Sequence, residues 1–322
     1  MAQATFSQIV RFIQLPPAAV PEGRTAEELA ALAYAASTSR AFRADIDHFR
    51  CWCGLHGYDA LPAEPTAVAS YIASCCGQFS TATVRRRFAA IRKAHIVMGF
   101  PSPLGSPEVQ AVWRGLRRVQ GSASLHAKKP LLLEDIRKIC ATLDPTKETG
   151  IRDRALILLG FAGAFRRGEL CALDRDDLEF TKRGIRVRIR RSKTDQTGRG
   201  RTVGIPYGEH PETCPVRAVE EWLRASPKES GALFHSHRGA RKRLTDQMVR
   251  LIVRRTCRAA GIDAAPYGAH SLRAGFVTQA IRGGATDHAV MDQTGHRDVQ
   301  MIRRYRREAD IFRDNAAEKL GL

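Results

Sequence analysis

Residues 185 to 190 alternate strictly, in a chain whose other apolar residues recur mostly at helical spacing. Ile185, Val187 and Ile189 share one face and Arg186, Arg188 and Arg190 the other, the pattern of a half-buried strand with a basic outer side. Asp195 to Gly200 reads as a turn, and Thr202 to Ile205 returns as a partner strand. No comparable alternation occurs before residue 121. The predicted fold class is therefore mainly α, with a small antiparallel sheet in a second, mixed α+β domain.

A length of 322 residues suits two domains better than one core. Residues 1–24, with Pro16, Pro17, Pro21 and Gly23, read as a flexible tail. Residues 25–120 read as a helical bundle. One helix carries Phe42, Ile46, Phe49 and Trp52, with Ser39 as a cap. A second starts near Thr66, a third near Ser80, and a fourth after Pro107 with Val109, Val112, Trp113 and Leu116 inward. Residues 121–130 are rich in small and basic side chains and read as a linker, long enough for two domains to close around a duplex. Residues 131–322 form the mixed domain, whose helix over 152–162 is almost wholly apolar and so central.

Lys and Arg number 52 against 33 Asp and Glu, a formal charge of +19. Such an excess points to a polyanion, most commonly nucleic acid. The charge is clustered. Arg85, Arg86, Arg87, Arg92 and Lys93 lie on the third helix. Residues 182–201 carry a single acid, Asp195. Arg241, Lys242 and Arg243 precede a helix that Thr245 caps, with Gln247 and Arg250 placed to read base edges. The eight cysteines show no Cys-x-x-Cys pair and no zinc-finger spacing, and they read as reduced thiols. The N-terminus lacks the pattern of a signal peptide, and no run is long and apolar enough to span a bilayer. A cytoplasmic, nucleoid-associated protein with no membrane partner is expected.

The chemistry is carried by an ordered set. Arg166 and Arg167 follow the break Gly163-Ala164-Phe165, and on the residues alone either could be the active arginine. Lys193 sits at the expected hairpin tip, a mobile position from which an ammonium could protonate a leaving oxygen. His270 and Arg273 are three apart, so on a helix they face the same way and can grip two oxygens of one phosphate. His296 follows Gly295 at an expected helix start. Tyr305, nine residues on, lies among Arg303, Arg304, Arg306 and Arg307, unlike a core tyrosine. Its phenol has an ordinary pKa of about 10, and cations nearby favour the nucleophilic phenolate.

With Arg166, Lys193, His270, Arg273, His296 and Tyr305 in this order, the chain resembles the tyrosine recombinases (phage integrase family) over roughly residues 35–322. The resemblance chooses Arg166 over Arg167, because the family's active arginine stands three residues before the acid that supports the site, here Glu169. It implies a helical core-binding domain and a tyrosine-recombinase catalytic domain, the latter with a recognition helix starting at Thr245. Gly168 departs from the serine or alanine common there, and no separate arm-binding domain is expected. The implied activity is site-specific recombination through a 3′-phosphotyrosyl link, with no metal and no cofactor, on double-stranded DNA with inverted-repeat sites. A C-terminal stripe, Ile311, Phe312, Ala316, Ala317, Leu320 and Leu322, would join four protomers in a ring. The alternatives are a relaxase similar to type IB topoisomerases and a catalytically silent DNA-binding regulator.

Overall fold

The structure, a computed structural model, describes residues 36–121, 128–192, 200–226, 229–237, 239–296 and 298–309, together with residue 320. The chain divides into two compact units, Met1–Leu125 and His126–Leu322.

The first unit is helical: α1 (Ala36–His56), α2 (Pro65–Ser74), α3 (Thr81–Val97) and α4 (Pro107–Gln120). Local chemistry sets the starts. The Ser80 hydroxyl accepts from the Thr83 backbone N–H at 3.2 Å, and Ser106 does the same for Val109 at 3.3 Å, with Pro107 in the first turn of α4. Ser39 is not a cap; α1 already runs through it from Ala36. Phe49, Val68, Tyr71, Ile72, Val84, Ile91, Val109 and Leu116 close the core. Removing such large apolar side chains from water is the dominant favourable contribution to this bundle.

The same core corrects the grouping of Arg87 with the basic residues of α3 that could meet DNA. Arg87 is 6% exposed. Its guanidinium lies 3.7 Å from the Phe79 ring centroid, donates to Cys75 Sγ and sits 3.8 Å from the buried Asp45 carboxylate. Position 87 follows Val84 by three residues and precedes Ile91 by four, which puts it on the buried stripe. Asp45 also accepts from Arg86 Nε at 2.7 Å and Nη2 at 2.8 Å, holding that guanidinium at the surface. Arg85 and Arg92 are exposed. Lys93 lies 5.7 Å over the Phe42 ring.

The second unit contains α5 (Leu133–Ala141), α6 (Glu148–Ala162), α7 (Arg167–Ala172), the strands β1 (Leu178–Thr181), β2 (Gly184–Ile189) and β3 (Arg201–Pro206), then α8 (Pro215–Ala225), α9 (Asp246–Ala259), α10 (Ala269–Arg282), α11 (Asp287–Thr294) and α12 (Val299–Ala309). The sheet is antiparallel in the order β1-β2-β3, with Ile185 opposite Ile205 and Val187 opposite Val203. Its apolar residues belong to the same core as the central helix α6, on which Ala155 to Leu159 are buried without interruption, and β3 packs against α8 and α11. α8 and α10 pack on α6, and α12 packs on α10 and α11. The approach of α10 to residue 131 is backbone on backbone. A Cβ at Gly275 would fall 1.8 Å from the Leu131 carbonyl oxygen, so no larger residue fits without displacing the helix.

β1 was absent from the sequence-based expectation. The expected linker also ends early. Lys128 Nζ donates to the Ala265 carbonyl at 3.0 Å, and the Lys129 N–H donates to Pro266 at 3.1 Å. The residues from 128 onward are thus part of the second unit, while 122–127 lie outside the described residues. Among the described residues, no helix is long and apolar enough to cross a membrane.

Candidate active site

The site is assembled at the ends of four helices. α6 stops at Ala162, and the chain turns through Ala164 in the left-handed region, φ 49°. This strained turn sets Arg166 as the residue preceding α7. Glu169, at the third helical position, accepts the Arg166 backbone N–H through Oε2 at 2.9 Å and the Arg166 guanidinium through Oε1 at 2.8 Å. The carboxylate side chain is 2% exposed. One buried acid therefore fixes both the main chain and the side chain of Arg166.

α10 brings His270 and Arg273 to the same place. Arg273 is 2% exposed and donates to the Ala164 carbonyl at 2.6 Å, bridging to the strained turn. Its other nitrogen donates to His296 Nε2 at 2.9 Å. Burial, with the repulsion of Arg166, brings its pKa down to about 10, so the guanidinium stays charged at neutral pH. The His270 ring is solvent-exposed, yet loss of hydration and the charges of Arg273 and Arg166 lower its pKa.

His296 does not open a helix, contrary to the expectation from sequence. Gly295 closes α11 instead, at φ 66° and ψ 36°, donating back to Met291 at 2.7 Å. A glycine after a helical run is a stop signal as readily as a start. The ring of His296 has its tautomer set by its partners. Arg273 can only donate, so Nε2 accepts; Nδ1 then carries the proton and donates to Thr294 Oγ1 at 2.9 Å. Thr294 in turn donates to the Val290 carbonyl at 2.7 Å. Burial first, then Arg273 and Arg166, lower the His296 pKa to about 4.

That value fixes a pH dependence. Between pH 6.5 and about 4 an unfolded histidine binds a proton that folded His296 refuses. Folding stability therefore rises with pH across this window and is lost as pH falls through it. The urea midpoint of the whole chain is expected to be lower at pH 5 than at pH 7.5, and His296→Asn should flatten the difference. An unchanged pH slope in that variant would remove His296 as its source.

Tyr305, on α12, packs its half-buried ring with Ile302 against Val277, Ile281 and Val290. The four flanking arginines had pointed away from such a place. Ile302 and Tyr305 are three apart on α12 and so share one of its faces, while Arg306 donates to the Asp287 carboxylate. The phenol is close enough to Arg273 to bear on its charge. Arg166, Glu169, His270, Arg273, His296 and Tyr305 are thus brought together in one unit. Lys193 lies outside the described residues.

Three residues of this site escaped the reading from sequence. Arg201 donates to Glu169 Oε2 at 3.1 Å and to the Gln293 carbonyl at 2.8 Å. The Gln293 side chain donates to Ala162 and Gly204 carbonyls. Thr294 is fully buried beneath His296. Arg201 was hidden in a basic run, and nothing in the local pattern separates it from its neighbours.

The basic segment before α9 is also partly paired within the protein. Arg241 pairs with Glu148. Arg243 donates to the Cys171 and Leu173 carbonyls, at 3.0 and 2.9 Å, and to Asp174. Lys242 is exposed. Thr245 caps α9, accepting from Met248 N–H at 3.3 Å, and Gln247 and Arg250 are bonded to each other at 3.2 Å on its surface.

The profile of the phage integrase family matches residues 129–311. The chain is 36% identical over 291 residues to an integrase/recombinase xerD homolog of Selenomonas ruminantium, covering 88% of this chain and 85% of that one. It is 28% identical over 291 residues to tyrosine recombinase XerD of Bifidobacterium longum, covering 84% and 86%. Among solved structures it resembles a lambda integrase dimer bound to a COC′ core site, with a TM-score of 0.63, 18% identity and coverage of 90% and 76%. It also resembles XerH recombinase bound to a palindromic difH substrate, with a TM-score of 0.61, 20% identity and coverage of 80% and 72%. At these identities the structural likenesses speak for the fold alone. With the family profile spanning more than half of the chain, and a relative at 36% identity over most of it, the chain belongs to the phage integrase family of tyrosine site-specific recombinases.

Proposed function

We propose that this chain cuts and rejoins double-stranded DNA at a specific site, with Tyr305 as nucleophile. The observation that carries the reading is the gathering of Arg166, Arg273, His270 and His296 beside Tyr305 around a single buried acid. Two fixed guanidiniums suit the non-bridging oxygens of a phosphodiester and the charge that grows there during attack. A phosphate oxygen arriving at Arg273 competes with His296 Nε2 for the same N–H. The anion also raises the affinity of His296 for a proton, turning the ring from acceptor to donor. His270, whose pKa is lowered by loss of hydration and by the charges of Arg273 and Arg166, is the proposed acceptor of the phenol proton. The bond that forms joins Tyr305 Oη to phosphorus, and the bond that breaks releases a 5′-hydroxyl. Lys193 is proposed to protonate that leaving oxygen. The link stores the energy of the broken bond, and a partner strand's hydroxyl reverses the step.

The solved neighbours include recombinases bound to a core site and to a palindromic substrate, which supports inverted-repeat DNA as the partner here. Gln247 and Arg250 on α9 are the proposed base-reading side chains, with Arg85, Arg86, Arg92 and Lys242 on phosphates. Assembly of four protomers through the stripe Ile311 to Leu322 is proposed on the resemblance alone, since residues 310–319 and 321–322 lie outside the described residues. A nucleoid location goes with the same reading.

Covalent trapping tests it. Wild-type protein is mixed with sheared DNA of its source replicon and denatured, and the protein-linked fragments are sequenced. Adducts at one inverted-repeat site are expected. Adducts scattered without sequence preference would favour a supercoil relaxase instead.

A further inference from the structure

One guanidinium joins the two halves of the site without belonging to the ordered motif set. Arg201 opens β3, with its side chain 19% exposed. Nη2 reaches Glu169 Oε2 at 3.1 Å and Nη1 reaches the Gln293 carbonyl at 2.8 Å. These acceptors belong to two different segments, which also meet directly where Arg166 Nη2 donates to the Gly295 carbonyl at 3.5 Å. Glu169 holds Arg166, whereas Gln293 lies in the last turn of α11, which delivers Gly295 and His296. Gly295 is closed over the same group: a Cβ there would lie 3.0 Å from Arg201 Nε. Glycine at this position both permits the left-handed turn and leaves room for the guanidinium.

We propose that Arg201 is a positioning residue for strand cleavage, tying the Arg166–Glu169 pair to the Gly295–His296 turn so that both are fixed before a phosphate arrives. The inference rests on the reading of Tyr305 as nucleophile. Stability alone is a poor reason for the arrangement. Arg201 repels Arg166 and Arg273 and loses hydration, and an apolar side chain would fill buried space at less cost. A planar fork can hold two acceptors at once; a lysine ammonium on its flexible stem holds such a pair less rigidly.

The test uses a nicked duplex of the trapped site, single-turnover cleavage, DNA affinity and thermal melting. Arg201→Gln is expected to bind DNA within about twofold of wild type and to cleave about 100-fold more slowly, the order of loss that a small misplacement of reacting groups produces. Arg201→Lys should fall between the two. Glu169→Gln should also slow cleavage, and the double variant should be no slower than the slower single, because both substitutions break one tie. The NMR titration of His296 should move upward in Arg201→Gln, since one of the cations that lower its pKa is gone. If Arg201→Gln fails to melt cooperatively, Arg201→Lys decides by the same comparisons. Cleavage at the wild-type rate, additive losses in the double variant, or loss of binding in step with cleavage would each overturn the inference while leaving Tyr305 as nucleophile. Absence of any adduct from wild type would overturn that reading, and the inference with it.

Discussion

Tyr305→Phe should form no covalent DNA adduct and should bind its site with wild-type affinity. The substitution removes one oxygen and keeps the ring. That ring packs with Ile302 on Val277, Ile281 and Val290, so α12 retains its apolar contacts on α10 and α11. Water is a poor substitute, because cleavage by hydrolysis would need a positioned water and a base for it and would discard the bond energy. Adducts are read on denaturing gels and binding by fluorescence anisotropy. Adduct formation by the phenylalanine variant would remove Tyr305 from the nucleophile role. Loss of binding together with adducts would mark Tyr305 as part of the DNA interface.

Arg273→Gln should lose cleavage by about 10²–10³-fold, the typical cost of deleting a donor to a developing oxyanion, and should melt at a lower temperature. The two losses share one origin. Arg273 is 2% exposed and donates at once to the Ala164 carbonyl and to His296. A glutamine amide is too short and carries too few donors to serve both, which strands a buried carbonyl. That carbonyl belongs to the residue at φ 49°, so the turn presenting Arg166 loosens as well. Arg273→Lys keeps the charge but not the fork. It should recover part of the melting temperature and little of the cleavage rate. Wild-type cleavage by Arg273→Gln would exclude the buried guanidinium from phosphate stabilisation.

What could be read from sequence was what local chemistry dictates. Ser80 and Thr245 announce their helices because a hydroxyl at the cap pairs with an N–H three residues on. β2 and β3 announce themselves because one face is buried and the other is not. β1 spans Leu178–Thr181 with neither face fully buried, so no alternation marks it. The direction of Gly295 is invisible locally. It depends on whether the left-handed residue ends α11 or precedes α12, and the hydrogen bond to Met291 decides that. Arg201 and Arg87 are harder still. Each looks like its basic neighbours, and only the acid it meets from a distant segment, Glu169 or Asp45, distinguishes it.

The inward turn of Arg87 bears on how tightly this protein should hold DNA as ionic strength changes. Each cation that neutralises a DNA phosphate frees condensed counterions, and the logarithm of affinity falls with that of salt by about 0.9 per such contact. A formal charge of +19 overstates the number of contributing groups. Arg87 is spent on Asp45, Cys75 and Phe79, Arg241 on Glu148, and Arg243 on Asp174 and two carbonyls. The salt gradient of binding should therefore be shallower than the count of lysines and arginines implies. It should be carried by side chains such as Arg85, Arg92 and Lys242, which face solvent.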